Sequence, residues 1–150
     1  GQEYFWAPLR FYEKYEKKIE EKHPLYLGYL FHLWLDVSYM TDFVSRIPMS
    51  QMIEKYHEVR QWKWKDGGLF IKRFHYTLSD EIFDDILAES AEIEEVKLTK
   101  DDLRQVVDLL KGNATEYDGK EYYLYTEDDL TAFYEKVCSD FIGWINRLHK

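Results

Sequence analysis

One cysteine, Cys138, is all the thiol chemistry the 150 residues hold, so no disulfide can close within the chain. That fits a reducing compartment, and a cytoplasmic location is the expectation. No uninterrupted run of about 18 apolar residues occurs, the length a spanning helix needs. The most hydrophobic stretch, residues 25–44, is interrupted by His32, Asp36 and Asp42, so no membrane span is expected. The opening residues Gly1-Gln2-Glu3-Tyr4-Phe5-Trp6 lack the basic start and apolar stretch of a secretion signal. Positive charge is also short. With 20 Lys and Arg against 29 Asp and Glu the net charge is −9, a surface that repels a phosphate backbone, so nucleic acid and anionic membranes are disfavoured as partners. No internal repeat, low-complexity segment or linker is visible. The expectation is one domain over 1–150, lacking an upstream amino-terminal segment.

A domain of this length buries roughly two thirds of the surface its unfolded chain exposes. Thirteen tyrosines, nine phenylalanines and five tryptophans exceed what core filling alone asks, and amphipathic rings suit interfaces and clefts as well. The apolar residues recur mainly at helical spacing, which predicts a mainly α, compact multi-helix domain around a buried central helix, with at most one small two-stranded β ribbon. Pro8 sits near the start of a helix over 8–22, and Pro24 near the start of an apolar helix running to about Arg46, expected to be the most buried. Pro48 precedes a helix over 50–65 that Asp66-Gly67-Gly68 should break. Residues 69–76 fit strand or helix, and 77–88 read as a helix with Ser79 as a cap. Thr99 with Asp102 and Thr126 with Asp129 approximate capping boxes. Before each lies a β-prone run, 95–98 and 121–125, the two expected to pair across an Asp118-Gly119 turn. The last helix carries one apolar stripe, Leu130, Phe133, Tyr134, Val137, Phe141, Ile145 and Leu148, and Cys138 should be packed in the core beside it.

His32 and Asp36 are the first candidates for chemistry. Four apart on a helix, they project to one side, one turn above the other. The spacing fits two ligands of one metal, and equally a buried structural pair in which the imidazole N–H satisfies the carboxylate. Both residues sit among Leu30, Phe31, Leu33, Trp34 and Leu35, so burial of the pair is expected. The run Pro24-Leu25-Tyr26-Leu27-Gly28-Tyr29, followed by His32 and Asp36, resembles a small all-helical group of bacterial proteins related to zinc-dependent phospholipase C. In that group a Gly-x-x-x-His-x-x-x-Asp helix supplies metal ligands. The resemblance covers residues 12–42. It implies His32 and Asp36 as metal ligands, and close helix approach at Gly28. That group builds a multi-zinc site with further histidines and acids, including ligands from an amino-terminal segment that this chain lacks or has lost.

Among the other histidines, His75 is the best third ligand, since a loop can fold back on the central helix. His57-Glu58 has Gln61 where the second histidine of a zinc-protease helix would stand. Gly67-Gly68 lacks the lysine of a phosphate loop, and the acidic runs at 80–85 and 89–95 read as a solvated face or a surface for a basic partner. Trp62 and Trp64, with Lys63 and Lys65, fit an aromatic rim for a ligand. Two functions follow. One is a metal-dependent hydrolase-like domain, active or degenerate, with zinc on His32, Asp36 and His75 activating water against a phosphoester or related small polar substrate. The other is a non-catalytic protein-interaction module with an acidic, aromatic-rich surface.

Overall fold

The computed structural model describes residues 6–42, 44–71, 83–107 and 121–148. The expectations at His75, Thr77, Ser79 and Asp118-Gly119 lie outside them. Helix is the regular structure among the described residues, and none of these helices is long and apolar enough to cross a membrane. The chain divides into two units, residues 1–54 with 131–150, and residues 55–130.

The first unit is built on α1 (Trp6–Glu20), α2 (Pro24–Asp42) and most of α7 (Glu127–Leu148). Pro8 lies in the first turn of α1, where its missing N–H costs nothing. Tyr15 departs from helical geometry (φ −120°, ψ 22°) and kinks α1. The helix closes as a Schellman motif, with His23 N donating to Lys18 O at 3.0 Å and Lys22 N to Ile19 O at 2.9 Å. The turn needs a left-handed residue, and Lys22 supplies it at φ 57° in the place glycine usually takes.

Aromatic rings join the three helices. Phe11 of α1 meets Tyr29 of α2 with centroids 4.9 Å apart, and Tyr15 meets Tyr26 at 5.2 Å. On another side of α2, Phe31 packs on Phe141 at 5.1 Å, Trp34 stacks on Trp144 at 4.9 Å and Tyr39 meets Phe133 at 5.9 Å. Such pairs add about 0.5–1.5 kcal/mol each beyond the area they bury. In this unit α2 is thus the central helix, but it is not buried all round. Only Tyr26, Leu30 and Val37 are buried in it, because two neighbours cover two sides of a helix whose apolar residues lie on every side.

Three boundaries differ from the sequence reading. The helix begun at Pro24 ends at Asp42, followed by a 3-10 turn, Val44–Arg46. Thr41 Oγ1 bonds back to Val37 O at 3.0 Å and Ser38 O at 3.1 Å, an arrangement that competes with helix continuation. The helix expected over 50–65 is two, α3 (Met49–Glu54) and α4 (Tyr56–Ile71). In the second unit α4 runs straight through Asp66-Gly67-Gly68. Glycine in a helix costs only about 1 kcal/mol each, and the Asp66 side chain is engaged elsewhere.

That engagement also replaces the β ribbon. Asp66, 1% exposed, accepts the backbone N–H of Tyr123 on Oδ1 at 2.7 Å, and those of Leu124 and Tyr125 on Oδ2 at 2.8 and 3.1 Å. Residues 123–125 therefore satisfy their donors on a carboxylate, not on a strand, and neither 121–125 nor 95–98 forms a strand. The rest of this unit comprises α5 (Phe83–Ser90) and a helical stretch over 100–107, α6. Its core includes Val59, Phe70, Phe83, Ile93, Val107 and Leu130.

Both capping boxes form. Thr99 N and Oγ1 donate to Asp102 Oδ2 at 2.8 and 2.7 Å while Asp102 N donates to Thr99 Oγ1 at 3.2 Å; the Thr99 bonds hold the Asp102 carboxyl below its ordinary range. Thr126 and Asp129 repeat the pattern at 3.0, 2.7 and 3.0 Å. Cys138, expected in the core, is exposed, since it lies about a quarter turn round α7 from the stripe of Leu130, Phe133, Val137 and Phe141.

Asp66→Ala should lower the unfolding free energy by about 3 kcal/mol or more, because three backbone donors lose a buried acceptor. Asp66→Asn, which keeps one acceptor oxygen, should lose less. A urea midpoint unchanged by Asp66→Ala would contradict the role assigned to this carboxylate. Lys22→Gly should raise stability by about 1 kcal/mol by relieving the left-handed strain, read in the same measurement.

Candidate functional site

On α2 the His32 Nε2 atom stands 3.3 Å from Asp36 Oδ2, as their four-residue spacing requires. The pair is not buried: the two side chains are 59% and 64% exposed. The expectation of burial fails because α1 and α7 cover other sides of α2 and leave this side to water. Exposure changes the energetics. In water a histidine–aspartate contact adds little, about 0–1 kcal/mol, and neither group needs the other to escape a desolvation cost. Nor, among the described residues, does Gly28 bring another helix close: a methyl group placed there would meet no atom of a neighbouring element within 4 Å.

The remaining expected ligand, His75, lies outside the described residues, as does His149. His23 sits just beyond the end of α1, its ring edge-on to Tyr26 at 5.1 Å. His57 is exposed on α4 and set against Tyr56 at 5.5 Å. Among the described residues no three His, Cys, Asp or Glu side chains converge where one metal ion could be held. His32 and Asp36 together offer two donors, one fewer than a catalytic zinc normally takes from protein.

A groove of about 430 Å³ runs between α2 and α7 in the first unit. Lys136 dominates it, with Nζ 3.1 Å from Asp42 Oδ2 and 2.8 Å from Asp140 Oδ2. These two bonds, to Asp140 first, raise the Lys136 pKa above its ordinary 10.5. Ser38 on one wall and Arg147 beside Gly143 on the other complete a lining of balanced charge. Lys136 and Asp140 are four apart, a helical pair that the sequence displays. Asp42 is 94 residues away, and only the packing of α2 on α7 brings it in. The cluster links the end of α2 to α7 at the surface.

The fold and these sites define an all-α protein whose polar clusters lie open on helix surfaces. No protein-family model, curated protein or solved structure matches the chain.

His32→Ala should leave the denaturant midpoint almost where it was, a change within about 0.5 kcal/mol, as for other exposed pairs. A loss above 2 kcal/mol would mean the pair is buried after all. The pH dependence at Lys136 has a definite sign. Its folded pKa is raised, so its contribution is fully present below 10.5 and fades as pH rises through the higher folded value. The destabilisation caused by Lys136→Met should therefore shrink above pH 10.5.

Proposed function

We propose that the chain is a non-catalytic protein-interaction module whose acidic, aromatic-rich surface receives a basic partner. The observation that carries this reading lies on α3, where Met49 and Ile53, one turn apart, are each 74% exposed. Apolar side chains left in water at adjacent helix positions form a contiguous patch, and such patches mark contact surfaces. Covering each would be worth about 1.5–3 kcal/mol, enough for two residues to anchor an interface. The net charge of −9 favours encounter with a partner carrying lysine and arginine around an apolar cleft.

A second reading, the metal-dependent hydrolase-like domain acting on a phosphoester or related small polar substrate, is supported by the open His32–Asp36 pair. Two donors 3.3 Å apart can share a zinc ion with a third ligand, His75 in the sequence reading. Zinc bound there would lower the pKa of a coordinated water toward neutrality.

The experiments separate the two. With Met49→Lys and Ile53→Lys together, the circular dichroism spectrum should be unchanged and the partners crosslinked to the chain in cells should be lost; an identical crosslink set would overturn the interaction reading. Protein purified without added metal should carry no stoichiometric zinc, manganese or iron. Stoichiometric metal that disappears in both His32→Ala and Asp36→Ala would replace that reading with the hydrolase one.

A further inference from the structure

Charge of the opposite sign gathers on α4. Residues 55–66 carry Lys55, Arg60, Lys63 and Lys65 against Glu58 and Asp66, in a chain of net charge −9. Asp66 is buried and committed to the backbone of residues 123–125. On one side of the helix His57, Arg60, Gln61 and Lys65 line an open groove of about 410 Å³. Their spacing of three, four and eight residues from His57 makes the convergence a property of the helix itself. Some cations elsewhere among the described residues are paired with carboxylates: Lys136 holds Asp42 and Asp140, Lys100 holds Asp84 and Arg104 holds Asp101. Arg60 has no ion pair among the described residues. Lys63 is held below its ordinary pKa by burial first and by the neighbouring Arg60 charge second, so the cations here press on one another.

Beside the groove stands an aromatic platform. The rings of Trp62 and Tyr123 lie within 5° of parallel with centroids 6.3 Å apart, and Tyr123 is 50% exposed. Lys65 belongs to both features, lining the groove and placing Nζ 4.9 Å from the centre of the Tyr123 ring. The bond from Tyr123 N to Asp66 fixes the backbone that carries this ring.

We propose that this side of α4 binds a small aromatic anion, a planar ring carrying a phosphate group, with the chemistry of a mononucleotide. The phosphate meets Arg60 and Lys65, whose charge-assisted bonds are the strong ones, with Gln61 and His57 as further donors. The ring lies against Trp62 and Tyr123, where stacking is worth about 1–3 kcal/mol. The acidity of the chain does not stand against it. Screening confines each charge to about 8–10 Å, so one phosphate samples the groove, whereas a polymer would also meet the carboxylates around it.

The test is a calorimetric titration of the intact protein with adenosine 5′-monophosphate, and with adenosine and inorganic phosphate separately. The monophosphate should bind with a dissociation constant of ~1 mM or tighter, and adenosine and phosphate each about tenfold more weakly or worse. Arg60→Gln and Lys65→Gln should each weaken the monophosphate about tenfold, and Tyr123→Ala should weaken it while leaving inorganic phosphate unaffected. In a nuclear magnetic resonance titration of the unaltered protein the Trp62 indole signal should shift with the monophosphate and not with phosphate, a readout no variant's folding can disturb. No heat and no indole shift at several times that concentration would overturn the proposal. Equal affinity for phosphate and the monophosphate would overturn it too, as would unchanged affinity in both charge variants.

Discussion

Three backbone N–H groups on one buried carboxylate hold the second unit in its form. Asp66 sits inside a helix, and its side chain takes the donors of Tyr123, Leu124 and Tyr125. A run of consecutive unpaired donors away from water is costly, and the two oxygens of Asp66 satisfy it without a partner strand. The consequences run in both directions along the chain. Backward, the aspartate side chain is held away from the backbone of its own helix, so α4 continues through Asp66-Gly67-Gly68. Forward, the clamped residues lead directly into Thr126, whose box with Asp129 starts α7.

The first unit rests on a different principle. Its central helix, α2, carries apolar residues on every side, and direction comes from the rings that happen to meet it: Phe11 and Tyr15 of α1, Phe133, Phe141 and Trp144 of α7. Flat aromatic pairs join helices at preferred geometries, and these two sets of contacts leave a third side of α2 open. His32 and Asp36 occupy that side. Their exposure removes the desolvation argument that would have made the pair either an essential structural bond or an expensive functional one. What remains is an accessible two-donor site in a chain whose polar clusters lie mainly at its surface.

Surface chemistry is correspondingly divided. Lys136 spends its charge on carboxylates of the chain itself, bridging Asp42 and Asp140 at the surface. Met49 and Ile53 leave apolar area in water on α3. Residues 55–65 gather four cations in a chain that as a whole is negative. Each is a different way for a helical surface to be recognised, by screened charge, by hydrophobic cover or by directed hydrogen bonds, and each acts over its own distance.

Local chemistry was legible in the residues themselves. The helical class, the proline-led starts of α1 and α2, both threonine–aspartate boxes and the contact of His32 with Asp36 follow from spacing within four residues, because a helix brings positions three and four apart together whatever surrounds it. Burial did not follow in the same way. Whether His32, Asp36 and Cys138 face a neighbour or water depends on which sides of α2 and α7 other helices cover, and an all-round apolar helix carries no signal for that. Nor could the chain order disclose that the donors at 123–125 belong to Asp66, or that Lys136 belongs to Asp42. A propensity for strand at 121–125 is a preference of the isolated segment. The tertiary structure overrode it, because a buried carboxylate more than fifty residues away offered the same hydrogen bonds first.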